Sequence, residues 1–324
     1  MKTIGVLTSG GDAPGMNACI RAVVKYGLQL GYRIVGIEDG YLGMIEGRFV
    51  ELDYSNVNNI IQLGGTILGT ARSEEFRTEE GRKKAIGNLR KEKIDALVLI
   101  GGDGTFAGGH VLSEEAGISV IGIPATIDND IIGTDHTIGY DTCLNTVIDA
   151  VDKIRDTATS HHRIFFVEVM GRNAGFIALN AALASGAENV LIPEEKTDIK
   201  QLAKEILHQN NGQRSTIIIV AEGDDGGGAI EIMEKVRPLL PPGYDMRHSI
   251  LGHIQRGGRP SALDRIIATR MGALAVELLN KGKSELYIGV QGEDLCLNEL
   301  LSKSTSTAKL DHLKLELLKK LQTQ

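Results

Sequence analysis

Three segments carry the residue types that phosphate chemistry needs. Ser9-Gly10-Gly11-Asp12-Ala13-Pro14-Gly15 follows the apolar run Thr3–Thr8, and Gly101-Gly102-Asp103-Gly104-Thr105 follows Ala96–Ile100. Glycines at a strand-to-helix turn let backbone N–H groups approach phosphate oxygens, and a neighbouring carboxylate can attend a magnesium ion. The third segment, Pro124-Ala125-Thr126-Ile127-Asp128-Asn129-Asp130, follows Val120–Ile123 and adds carboxylates able to accept a proton. A glycine turn alone also serves an ordinary strand-to-helix connection. Two Gly-Gly-Asp turns in one chain lower the odds of accident.

The second half contributes cations. Arg163, Arg172, Arg247 and Arg256 each lie beside a predicted strand or glycine turn, and Arg72, Arg77 and Arg82 are expected in a glycine-interrupted loop, Gly64–Arg82. The planar guanidinium fork binds phosphate through two parallel hydrogen bonds, so arginines in such places suit a phosphorylated substrate. His253 stands with Gln255 and Arg256 in Leu251-Gly252-His253-Ile254-Gln255-Arg256-Gly257-Gly258. A histidine alone is more often structural; this setting favours a polar pocket. Carboxylates and glycines in one half and arginines in the other are what phosphoryl transfer from a nucleotide to a phosphorylated metabolite requires.

The elements that position these groups follow from hydrophobic periodicity. Short continuous apolar runs at Thr3–Thr8, Arg33–Ile37, Ala96–Ile100, Val120–Ile123, Arg163–Met170, Asn189–Ile192, Thr216–Ala221, Ser249–Gly252 and Leu286–Val290 predict strands, most of them buried on both faces. Between them, helical spacing predicts Met16–Leu30 and a long helix from Tyr140, with Leu144, Val147, Ile148, Val151 and Ile154 on one face. Asp198–Gln209 is another, with Ile199, Leu202, Ala203 and Ile206 inward. Ala262–Leu279 begins with the capping-box pair Ser261 and Asp264 and carries a stripe of Leu263, Ile266, Ile267, Met271 and Leu274. Near-continuous alternation of strand and helix means α/β with mainly parallel sheets covered by helices on both faces. Ligands in such folds bind beyond the carboxyl ends of the strands. No low-complexity linker divides the 324 residues, so two domains would exchange the chain rather than join end to end.

A formal net charge of -7 and the absence of Trp argue against a nucleic-acid partner, which needs a basic face and stacking platforms. Cys19, Cys143 and Cys296 are too widely spaced for a disulfide framework or a metal site. No run has the length of a membrane span, and the N-terminus reaches a glycine turn before a signal peptide's apolar core could fit. A cytoplasmic protein with no membrane partner is expected.

The motifs GGDGT, PATIDND, MGRNAG and ILGHIQRGG, in that order, together with TSGGDAPGMNACIRAVV and GGTILGTAR, resemble the bacterial ATP-dependent 6-phosphofructokinases along nearly the whole chain. The resemblance implies transfer of the ATP γ-phosphate to the 1-hydroxyl of fructose 6-phosphate, with Mg2+ on the nucleotide. It places Gly11, Arg72, Ser73, Gly102, Asp103, Gly104 and Thr105 at the ATP phosphates, with Asp103 attending the metal. Asp128 would be the base, Arg172 would stabilise the transferring group, and Thr126 and Ile127 would stand beside the base. Met170, Gly171, Glu222, His253, Ile254, Gln255 and Arg256 would hold the sugar. Arg163 and Arg247 would grip its 6-phosphate from a neighbouring subunit, which implies a homotetramer. The implied domains are 1–138 plus 252–305, larger and ATP-binding, and 139–251 plus 306–324, smaller and binding sugar phosphate and effector.

Pyrophosphate-dependent relatives carry Asp in place of Gly104 and Lys in place of Ala125. Both positions are small here, which favours ATP over the pyrophosphate alternative. A non-catalytic metabolite-binding protein of similar architecture is the alternative from another class. Arg21, Lys25, Arg155, Gly186 and Glu188 fit the family's pocket for ADP or phosphoenolpyruvate, whereas Asn59, Asn211 and Gln213 lack its expected charges. A diminished or altered effector response is therefore expected.

Overall fold

A computed structural model describes residues 2–209, 215–300 and 308–322 as two compact units, each built from separate stretches of chain. The first holds Met1–Ile127, Ile131–Thr142 and Arg256–Ala308; the second holds Asp128–Asp130, Cys143–Gln255 and Lys309–Gln324.

The first unit opens with β1 (Thr3–Ser9), α1 (Met16–Gln29), β2 (Arg33–Ile37), α2 (Gly40–Glu46) and β3 (Phe49–Leu52). It continues through α3 (Glu79–Lys91), β4 (Ala96–Gly101), α4 (Asp103–Ala116) and β5 (Ser119–Pro124). From β5 the chain passes by way of α5 (Tyr140–His161) to the second unit, which contains β6 (Ile164–Val169), α6 (Phe176–Ser185), β7 (Asn189–Leu191) and α7 (Ile199–Gln209). It completes that unit's sheet with β8 (Thr216–Ala221), α8 (Ala229–Val236) and β9 (Met246–Ile250). Then α9 (Ala262–Asn280), β10 (Leu286–Gln291) and β11 (Asp294–Glu299) belong to the first unit again, and α10 (His312–Gln322) to the second.

The first sheet runs β11-β10-β5-β4-β1-β2-β3, parallel except for its two edge strands. Every residue of β1 and β4 is buried, as strands covered on both faces must be. Leu97 and Leu99 of β4 join a core with Tyr41 and Met44 of α2, Ile86 of α3 and Phe106 of α4. The alternate residues Val98 and Ile100 are buried on the other face, and α1 and α9 both pack against β4. Gly272 lets α9 approach α1, since a Cβ there would lie 2.8 Å from the Cys19 carbonyl oxygen. The second sheet, β7-β8-β6-β9, is wholly parallel, with a core of Phe166, Ile218 and Val220 against Ile206 and Ile232.

Three expectations need correction. The strand expected at Ser249–Gly252 lies earlier, at Met246–Ile250, and Gly252–Arg256 is a 3-10 turn. Arg247 and His248 are exposed on an edge strand, so β9 carries no apolar run to announce it. On α9, Leu263 and Ile266 do not face inward; Ile266 is 56% exposed. Arg82 belongs to α3 rather than a loop, and it pairs with Glu115 at 2.8 Å.

Candidate phosphoryl-transfer site

The carboxyl ends of β1, β4 and β5 lie side by side in register, with Ser9 opposite Gly101 and Gly101 opposite Pro124. The three motifs Gly10-Gly11, Gly102–Thr105 and Ala125–Ile127 therefore leave one edge of the sheet at one level. Chain order reverses between β1 and β4, the position at which open α/β sheets hold ligands. Gly102 caps α4 with no side-chain hydrogen bond, so the helix presents its first N–H groups beside the exposed Asp103 and Gly104. Thr105 is buried and donates to the Ser9 carbonyl at 3.1 Å. A Cβ on Gly101 would come within 2.4 Å of both the Ser9 carbonyl oxygen and Thr105 Oγ1, so only glycine permits this approach.

The loop bearing Arg72 and Ser73 is pinned to the same edge. Thr70 donates to the Gly10 carbonyl at 2.8 Å and Thr8 to the Gly69 carbonyl at 2.7 Å. The buried Asn17 accepts from Ile67 N at 2.7 Å and donates to the Leu63 and Gly64 carbonyls. Arg256 also belongs here, its Nη1 donating to the Asp12 carbonyl. Ala125 N donates to the Gly101 carbonyl, and the Thr126 carbonyl accepts from Thr137 Oγ1 at 2.6 Å.

In the second unit Asp128 is buried, and Asp130 follows it near Arg172. Burial raises the Asp130 carboxyl above the ordinary range; its own backbone N–H and the Arg172 charge partly oppose that. Arg172 has a left-handed backbone, φ 53, and its N–H donates to Glu222 Oε1 at 2.8 Å. Gly171 before it has φ 142, where a side chain would be strained. Gln255 is fully buried; its Oε1 accepts from Met170 N at 3.2 Å and its Nε2 donates to the Gly252 carbonyl. Gln255 therefore ties the turn bearing His253 and Ile254 to the end of β6, while the His253 and Ile254 side chains stay exposed. Asp128, Met170, Gly171, Arg172, Glu222 and Gln255 thus share one unit.

Arg163 and Arg247 do not join that group. Arg163 precedes β6 and Arg247 is paired in register with Phe165, so both stand at the amino end of the sheet. Arg172 leaves the carboxyl end, six strand residues away, about 20 Å at the rise of a strand. Asp245, which the sequence did not single out, holds both guanidinium groups: Arg163 Nε at 2.6 Å and Arg247 Nη1 at 3.0 Å. One carboxylate thus holds the two guanidinium groups side by side at the amino end of the sheet.

Of the effector candidates, Arg21 and Lys25 are half-buried on α1 at helical i,i+4 spacing. Arg155 pairs with Glu188 at 2.9 Å and donates to the Ser185 and Gly186 carbonyls. Asn59 is exposed with φ 57; Asn211 and Gln213 lie outside the described residues. A cavity of about 750 Å³ lies elsewhere in the second unit, lined by α7, α10 and the segment after β7, and no predicted site residue borders it. Among the described residues no three His, Cys, Asp or Glu groups cluster to hold a metal. Magnesium in nucleotide sites takes one or two carboxylates and completes its shell with phosphates and water, which the exposed Asp103 at the start of α4 fits.

The Phosphofructokinase family profile matches residues 3–279, and the chain belongs to that family. It is similar to the ATP-dependent 6-phosphofructokinase 2 of Bacteroides thetaiotaomicron, 53% identical over 91% of this chain and 90% of the relative. Its identity to the ATP-dependent 6-phosphofructokinase 1 of Thermus thermophilus is 56%, over 90% of this chain and 91% of that one. Among solved structures, the phosphofructokinase of Saccharomyces cerevisiae superposes with a TM-score of 0.84 at 36% identity. That match covers 99% of this chain and 46% of the yeast chain, so the protein spans about half of its length. The pyrophosphate-dependent phosphofructokinase of Nitrosospira multiformis gives a TM-score of 0.88 at 20% identity, covering 99% of this chain and 91% of that one, a likeness of fold alone.

Proposed function

We propose that this phosphofructokinase is an ATP-dependent 6-phosphofructokinase, with Asp128 as the base that takes the proton from the 1-hydroxyl of fructose 6-phosphate. Arg172 sits beside the same loop and supplies positive charge to the transferring phosphoryl group. The N–H groups opening α4, with Gly11, Arg72, Ser73 and Thr105, bind the ATP phosphates; Asp103 would hold Mg2+, which when bound offsets phosphate charge. Glu222, His253 and Arg256 hold the sugar, with Met170, Gly171 and Ile254 beside it. The observation that carries this reading is the register of the three motif-bearing strand ends, Ser9, Gly101 and Pro124.

The small side chains favour ATP as donor. Nothing in the fold lies within 4 Å of a Cβ built on Gly104, so packing does not demand glycine there, whereas an open phosphate path does. A coupled assay for ADP release with and without fructose 6-phosphate tests the reaction. Turnover equal to that of Asp128→Asn would reject catalysis by Asp128, and robust turnover with pyrophosphate alone would favour the other donor.

The proposed assembly is a homotetramer in which Arg163 and Arg247 serve a neighbour's sugar site. Their distance along β6 from Arg172, the edge position of β9 and the exposed Ile250, Ile254 and Ile266 support it. The engagement of Arg155 by Glu188 and two carbonyls, together with Asn59, supports a weakened response to ADP or phosphoenolpyruvate. Buried Cys19 and Cys143 suit a reducing compartment, and the cytoplasm is the proposed location. No helix among the described residues is long and apolar enough to cross a membrane.

A further inference from the structure

One side chain in the first unit touches both α4 and the segment that follows Asp130 in the chain. Tyr287 lies on β10, paired in register with Gly122 of β5. Its ring stacks on Phe106, centroids 5.2 Å apart and planes inclined by 21°. Phe106 is buried in the first turn of α4, directly after Asp103-Gly104-Thr105. The Tyr287 hydroxyl donates to the carbonyl of Ile132, two residues beyond Asp130 in the chain. A Cβ on Gly122 would stand 2.7 Å from the Phe106 ring and 2.9 Å from Tyr287 Cβ, so this glycine makes room for the ring pair.

The segment that receives the hydroxyl is held along its length by the β10–β11 hairpin. The Gly133 carbonyl accepts from Asn298 Nδ2 at 3.0 Å, and Gly133 itself has φ 78. Thr134 Oγ1 accepts from Val290 N at 3.0 Å, Asp135 N donates to the Val290 carbonyl at 2.7 Å, and Asp135 Oδ2 accepts from Gly292 N at 2.7 Å. The hairpin thus serves as a template for the limb leading away from Asp128–Asp130, and Tyr287 alone among these contacts also bears on α4.

We propose that Tyr287 is a positioning residue for phosphoryl transfer, fixing the nucleotide-binding start of α4 and the segment 131–135, which follows Asp128–Asp130 in the chain, relative to each other within the first unit. This rests on the roles assigned above to Asp128 and to Asp103–Thr105. Burial and, second, the Asp103 charge push the phenol up to about 12, so the hydroxyl remains a donor throughout the physiological range. Catalytic groups displaced by about 1 Å lose one to two powers of ten in rate while their ligands still bind.

The test is steady-state kinetics and Tm for Tyr287→Phe, Tyr287→Ala and Asp128→Asn in the full-length protein. Tyr287→Phe keeps the stack and removes only the bond to Ile132. It is expected to lower kcat about tenfold, with both KM values within twofold and Tm little changed. Tyr287→Ala, which also removes the stack under α4, is expected to raise the KM for ATP as well. If Asp128→Asn is inactive and Tyr287→Phe keeps kcat within twofold, the positioning role falls and the base assignment stands. If Asp128→Asn keeps its activity, the base assignment falls and the proposal with it. A Tyr287→Phe protein with a lowered Tm but full kcat per folded molecule would make the residue merely structural.

Discussion

Arg256 lies across Gly11: its Nη1 donates to the Asp12 carbonyl at 3.3 Å, and a Cβ built on Gly11 would stand 2.1 Å from that same nitrogen. A residue assigned to the nucleotide and one assigned to the sugar therefore share one space. Gly11→Ala must push the guanidinium aside, which the flexible end of a side chain can do at about 1 kcal/mol or less of stability. The expected result is a nearly unchanged Tm with kcat/KM for fructose 6-phosphate reduced about tenfold or more. Unchanged sugar kinetics would mean that Arg256 does not need its present position.

Gly104 offers the opposite separation of stability from activity. Its site is open, so Gly104→Ala improves helix propensity and should raise stability by up to about 1 kcal/mol. If ATP phosphates pass there, the added methyl must raise the KM for ATP. Thermal unfolding and ATP titration of this one variant check both signs, and an unaltered KM would remove Gly104 from the phosphate path.

The two arginine groups should fail differently. If Arg172 stabilises the transferring phosphoryl group as proposed, Arg172→Ala is expected to lower kcat, while Arg247→Ala is expected to raise the KM for fructose 6-phosphate. If Arg247 serves a neighbouring subunit, Arg247→Ala and Asp128→Asn chains refolded together in equal amounts should regain about a quarter of the native sites at low sugar phosphate, from random pairing across a symmetric interface. Mixtures no more active than the sum of the two separate variants would place Arg247 in its own chain's site.

Asp264 is buried and receives Gly139 N and Thr142 N at 2.9 Å, so a carboxylate on α9 caps the start of α5. Burial raises its pKa above the ordinary value of 3.8, the hydrogen bonds from Thr142 and Gly139 partly opposing. The folded state therefore binds more protons than the unfolded state between those two values, and stability falls as pH rises through that window. Asp264→Asn lacks this titration and leaves one backbone donor poorly served, a cost of about 1–3 kcal/mol. The Tm gap between parent and variant should be widest near pH 4 and narrow as the pH is raised. A gap that widens with pH would reverse the assignment.

The sequence revealed what depends on local pattern. Doubly buried strands read directly because β1, β4 and β8 are continuous apolar runs, and glycine turns read because a close approach such as Gly101 to Thr105 admits no other residue. Edge strands did not read. β9 exposes Arg247 and His248, and β3 and β11 lie half in solvent, so neither apolar runs nor clean alternation marks them. On α9, Leu263 and Ile266 fall outside the core face because that helix is apolar over more of its circumference than one core face needs. In the site, motif residues were legible while their supports were not. Asn17 and Tyr287 act through partners 50 and 155 residues distant, and Asp245 joins its neighbour Arg247 to Arg163, 82 residues away; at such separations spacing carries no signal.

The interleaving of the two units has a consequence for synthesis. While the chain emerges from the ribosome, β5 must wait for residues 286–291 to supply β10, its neighbour on one side. The nascent chain therefore exposes an apolar sheet margin for more than half of translation, and truncation before β10 would leave that margin permanently open to aggregation.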